Sequence, residues 1–265
     1  MRDTEQAPQQ AQNPTSFDIH LSGARVAFGG VDIFDDLDLT LRAGSFTCLL
    51  GPSGVGKSTL LRFLAGLVEG DVSGNITCSD GGILKNRIAY MAQQDLLLPW
   101  RTVRENVELG AVLRGERPDH ARAEHLIAEV GLTDAAHLRP AKLSGGMKQR
   151  AALARTLMED RPVVLMDEPF SALDPVNRLR LQELAARVLR GKTVLLVTHD
   201  PLEALRLGDH VHVLSGAPAT LADAITPDGQ SPRNITDPAI LAQQAELLRQ
   251  LGADISTGYG AEAVS

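Results

Sequence analysis

The segment "GPSGVGKST" at residues 51–59 constrains this chain more than any other. It follows the apolar stretch "FTCLL" and leads into "LLRFLAGLV", so it predicts a strand, a glycine-rich loop and a helix in that order. Gly51, Pro52, Ser53, Gly54, Val55 and Gly56 make the loop. Its glycines let the backbone wrap an anion, with successive N–H groups and a helix N-terminus aimed at a phosphate. Lys57 brings a mobile positive charge to the β- and γ-phosphates. Ser58, beside Thr59, offers a hard hydroxyl oxygen suited to Mg2+. These residues in this order bind a nucleoside triphosphate.

The rest of a hydrolysis site stands in "VVLMDEP" at 163–169. Four apolar residues bury a strand, and Asp167 emerges at its C-terminal end, where α/β sheets place their ligands. A carboxylate there can hold Mg2+ through its waters, and Glu168 can serve as general base for an attacking water. A second continuous apolar run, "TVLLV" at 193–197, is joined to the first by the helical stretch "PVNRLRLQELAARVL". Continuous runs of this kind predict parallel strands covered on both faces. Residues 17–50 alternate apolar and polar and predict strands with one wet face; about 100–158 read as helical and charged, without a strand signal. The last fifty residues end in "DPAILAQQAELLRQLG", a helix opened by Asp237 and Pro238.

A second candidate anion site lies in "LSGGMKQR" at 143–150, ahead of good helix formers. Ser144 predicts an N-cap, and Gly145 and Gly146 leave the following amides unshielded. Two further polar residues close apolar segments: Gln93 after "NRIAYMA" and His199 after "TVLLVT".

Composition narrows the classes. A net charge of −7 argues against a nucleic-acid partner held by backbone electrostatics. Two cysteines, Cys48 in a strand and Cys78 in a Gly-rich stretch, predict free thiols rather than a disulfide framework. Residues 1–16, polar and rich in Gln and Pro, predict a disordered tail. No apolar run approaches the roughly 20 residues that a spanning helix needs.

Taken together and in this order, the phosphate loop, Gln93, "LSGGMKQR", Asp167-Glu168, "SALD" at 171–174 and His199 resemble the ATP-binding subunit of an ABC transporter. The resemblance covers about residues 18–215. It implies an α/β fold: a P-loop NTPase core of mostly parallel strands, an N-terminal antiparallel β-subdomain and an inserted helical subdomain. The ATPase domain would span 17–230, with a helical extension over 231–265. It also implies a head-to-tail homodimer in the ATP-bound state, with Ser144, Gly145 and Gly146 contacting the γ-phosphate of ATP held by the partner copy. Gln93 would touch Mg2+ and the attacking water, His199 the γ-phosphate, and Asp174 would run along the dimer seam. Phe28 matches the aromatic that stacks on adenine, although an aromatic in "VAF" serves core packing equally well.

"LLPW" after Gln93 is similar to the importer branch for nitrate, sulfonates, taurine and thiamine pyrimidine precursors. That branch implies separate permease subunits, a periplasmic or extracellular solute-binding protein, and a peripheral place on the cytoplasmic face of the membrane. Trp100 and its leucines read either as the apolar surface that receives a permease helix or as internal packing. Two rival classes fit less well. A non-transport ABC ATPase would bring long insertions, duplicated halves or basic surfaces; a P-loop kinase or GTPase leaves "LSGGMKQR" unexplained.

Overall fold

The computed structural model describes residues 16–258. The tail expected at 1–16 therefore lies outside the described residues except for Ser16. Strands β1 (Ile19–Phe28), β2 (Val31–Leu41) and β4 (Asp71–Cys78) form an antiparallel sheet in the order β2-β1-β4. The second sheet holds β3 (Phe46–Leu50), β5 (Ile88–Met91), β6 (Val163–Asp167), β7 (Thr193–Val197), β8 (His210–Ser215) and the short β9 (Thr220–Leu221). Its order is β5-β6-β7-β3-β8-β9, parallel throughout except for the β8–β9 pair.

The apolar runs of β3, β6 and β7 are continuous because both faces are covered. Cys48, Leu50, Val164, Met166, Val194 and Leu196 pack among helices. Their neighbours Leu49, Val163, Leu165, Leu195 and Val197 pack under the antiparallel sheet and helix α1 (Lys57–Leu64). Both cysteines are buried and free.

Strand β4 went unpredicted. Gly74 interrupts the alternation of Val72, Ile76 and Cys78 with polar residues, and six of the strand's first seven residues are exposed; pairing along β1 holds it in place. A Cβ at Gly74 would come within 2.8 Å of the Ala24 backbone. Glycine is thus required where the two strands close up beside an irregularity in their register.

The helical insert comprises α2 (Val103–Val107), α3 (Leu109–Leu113), α4 (His120–Glu129) and α5 (Gly145–Met158). Their starts follow from the sequence. Thr102 and Glu105 make a reciprocal capping box, while Asp119 and Ser144 cap α4 and α5. Helices α6 (Pro175–Val188) and α7 (Pro201–Leu207) each begin with proline behind a capping aspartate, Asp174 and Asp200.

Helix α8 (Pro238–Gly258) follows Asp237, whose carboxylate accepts from the Ala239 amide. It packs back on the core through Ile240 and Leu247. The segment before it is fastened by Arg233, buried with its guanidinium donating to the carbonyls of Leu205, Gly208, Pro227 and Asp228. Among the described residues no helix is long and apolar enough to cross a membrane.

Candidate functional site

Strand β3 delivers the chain into the loop at Gly51–Gly56, and α1 begins directly after it. Gly56 is the N-cap, at φ 112°, without a side-chain cap on the helix amides. A Cβ there would meet Ile33 at 2.7 Å, so β2 presses on the loop and glycine alone fits. The amides at the start of α1 have no side-chain cap, and the helix dipole lies behind them, an arrangement that suits a phosphate. Lys57 is buried; its Nζ donates to the Gly51 and Pro52 carbonyls at 2.7 and 2.8 Å. Burial pushes its pKa down, and the carboxylates of Glu168 and Asp167 pull it back up. An anionic phosphate beside it would favour the charged form further.

Asp167 closes β6, 1% exposed, and neither carboxylate oxygen has a well-formed hydrogen bond among the described residues. Burial raises its pKa, eased by the nearby Ser58 hydroxyl and raised further by Glu168. Buried, unpartnered carboxylate oxygens beside a hydroxyl are what a hard cation requires, so these residues fit Mg2+. Among the described residues no group of three His, Cys, Asp or Glu could hold a metal ion. Phosphate and water oxygens would have to complete the shell.

Three residues from distant parts of the sequence meet at the next position. Gln93 Nε2 donates to Glu168 Oε2 at 3.3 Å, and His199 Nδ1 lies 3.2 Å from Oε1. Glu168 is one of few non-glycine residues with positive φ, at 48°. That backbone turns the side chain out of the strand, toward Gln93 and His199. A cleft of about 30 Å³ bordered by Glu168, Ser171, Thr198 and His199 has room for a water molecule.

The "LSGGMKQ" segment opens α5 with Ser144 Oγ accepting from the Met147 amide at 3.2 Å. Ser144 and Gly145 are exposed. No hydrogen bond among the described residues joins Ser144, Gly145 or Gly146 to the phosphate loop. Within one chain, the two anion-binding starts remain separate.

The ABC transporter family model matches residues 34–171, more than half of the chain. The chain belongs to the ABC transporter family. It is an ATP-binding subunit, and it is an ATPase. An uncharacterized ABC transporter ATP-binding protein of Haemophilus influenzae is 44% identical over 89% of this chain and 99% of its own length. The aliphatic sulfonates import ATP-binding protein SsuB of Delftia acidovorans is 44% identical over 89% of this chain and 95% of its own. SsuB 1 of Streptomyces avermitilis is 42% identical, covering 94% and 92%. Among solved structures, the dimeric ATP-binding cassette MJ0796 bound to ADP and Pi superposes with a TM-score of 0.70 at 28% identity, over 80% of this chain and all of that one.

For two residues of this ABC ATPase the structure removes the core-packing alternative. Phe28 is 46% exposed, so it is not core packing. It pairs with Val31 across the β1–β2 hairpin, two residues from the Ile33 that presses on Gly56. Trp100 is 65% exposed and Leu96 also faces outward, while Leu97 is buried. The turn that presents Trp100 is folded by Asn106, fully buried. Its amide accepts from Leu98 N and donates to the Leu98, Arg101 and Thr102 carbonyls.

Other contacts were not foreseen from the sequence. Arg155 of α5 donates to the Asp95 and Leu96 carbonyls at 2.6 and 2.8 Å, holding the segment after Gln93. Gln149 of the same helix bonds the Glu168 backbone. Neither an arginine nor a glutamine inside a helix carries a sequence signal for such a role.

Proposed function

We propose that this ABC ATPase powers import of a small solute through a separate permease. Within the nitrate, sulfonate, taurine and hydroxymethylpyrimidine group of solutes, an aliphatic sulfonate is favoured. The observation that carries this reading is the 42–44% identity, over nearly the whole chain, to aliphatic sulfonates import ATP-binding proteins. The residues then take these parts. The amides of residues 51–56, with Lys57, Ser58 and Thr59, cradle the ATP phosphates. Ser58, Asp167 and Gln93 would hold Mg2+, which neutralises charge between the β- and γ-phosphates when bound. Glu168 accepts the proton of the attacking water, and His199 orients the γ-phosphate beside it. Phe28 stacks on adenine.

Ser144, Gly145 and Gly146 serve the nucleotide of a second copy, in a dimer that ATP closes and hydrolysis opens. The dimeric state of the cassette that this fold matches supports pairing of two copies. The integral-membrane permease and an external solute-binding protein complete the system, with this subunit peripheral on the cytoplasmic face. The decisive experiment reconstitutes the three components in liposomes with ATP inside and a labelled alkanesulfonate outside. Uptake that requires ATP, and is competed by unlabelled sulfonate, is expected; nitrate or a pyrimidine taken up in its place would reassign the solute. The outward Trp100 also sets an expectation. Trp100→Ala should weaken permease association at least tenfold, as hot-spot aromatics do, while basal ATPase stays unchanged. Equal recovery of permease by wild type and variant would discard that docking surface.

A further inference from the structure

We propose that Gln149 is a positioning residue that fastens the start of α5 to Glu168 of the same chain, and thereby couples the two shared sites of a dimer. The proposal rests on the reading of Glu168 as base and of Ser144–Gly146 as the partner's phosphate contacts.

Gln149 sits five residues after the Ser144 cap, 6% exposed, with its whole amide engaged. Its Nε2 donates to the Glu168 carbonyl at 3.0 Å and to Ser171 Oγ at 3.2 Å. Its Oε1 accepts from the Ala172 amide at 2.8 Å. Ser171 Oγ in turn donates to the same Glu168 carbonyl at 3.0 Å, which closes a small ring of hydrogen bonds. Glu168 needs this support. A glutamate at φ 48° holds an unfavourable backbone, and such a conformation persists only where its surroundings over-determine it. Val197 O fixes its amide side at 2.9 Å; Gln149 and Ser171 fix its carbonyl side.

Helix α5 is a stiff rod with the exposed Ser144–Gly145 end at one terminus and the Gln149 amide little more than one turn along. A displacement of that end by the partner's nucleotide is therefore carried to the backbone that aims Glu168 in the chain's own site. Coupling of this kind is reciprocal, so each nucleotide would sense the other.

The test uses the full chain with Mg2+ and ATP at concentrations that allow dimerisation. Gln149→Met preserves length and removes all three hydrogen bonds; Gln149→Glu keeps the acceptor for Ala172 N and loses both donations. Both should lower kcat by about tenfold, with ATP affinity within about twofold and the Hill coefficient falling toward 1. In a Glu168→Gln background, Gln149→Met should cost nothing further, because the group it positions is already gone. Unchanged kcat, or an equal loss in both backgrounds, would overturn the positioning role. A lower kcat with undiminished cooperativity would overturn the coupling. If Gln149→Met fails to fold, Ser171→Ala decides: it removes one bond to the Glu168 carbonyl at an exposed position, and a fall of about threefold supports the proposal while none refutes it. Normal hydrolysis by Glu168→Gln alone would instead defeat the underlying base assignment, a separate outcome.

Discussion

Glu168→Gln is expected to lower ATP hydrolysis by about 10²–10⁴-fold while leaving ATP binding intact. The amide keeps the shape of the carboxylate, so the contacts to Gln93 and His199 can largely re-form. What disappears is the capacity to accept a proton. If, as proposed, ATP closes the dimer and hydrolysis opens it, the variant should accumulate as a nucleotide-bound dimer, measurable by light scattering. The shift needs no change in intrinsic affinity; the ligand that favours one state simply stays. Turnover at the wild-type rate would transfer the proton-accepting role to another group, with His199 the nearest candidate.

The second large effect comes from Ser144→Trp. Ser144 is exposed and caps α5, so the substitution costs about 1 kcal/mol of cap stability, too little to unfold a domain of ordinary stability. Hydrolysis should nonetheless be abolished, because the indole fills the space over Gly145 where, on the proposed shared-site arrangement, the partner's γ-phosphate would be received. Binding to the chain's own phosphate loop should survive. Mixing Ser144→Trp with Lys57→Ala chains gives a heterodimer in which one site has an intact loop and an intact serine. That heterodimer should occlude nucleotide where neither homodimer does. A mixture that occludes none would remove the shared-site reading.

Much of the site was legible because its physics is local. A phosphate loop needs glycines, a lysine and a hydroxyl at fixed spacing, all within Gly51–Thr59. The cap Ser144, read from the sequence, acts on the Met147 amide three residues on and is observed as a cap; Asp174 and Asp200 cap α6 and α7 without having been read as caps. Strand β4 was not legible: Gly74 breaks a short alternation, most of its residues stay exposed, and pairing with β1 holds it. Trp100 could be read either way, since exposure depends on how Asn106, six residues later, folds the turn.

By itself the sequence determined the nucleotide chemistry, the parallel core and the two separate helix starts suited to phosphate, since each follows from short-range spacing or from burial on both strand faces. Only the tertiary structure decided that Gln93, Glu168 and His199 share one point, that Glu168 stands in a left-handed backbone, and that α5 reaches it through Gln149. Those facts depend on contacts spanning 19 to 75 residues. No local propensity encodes them; they exist only once the two sheets and the helical insert have packed around a common core.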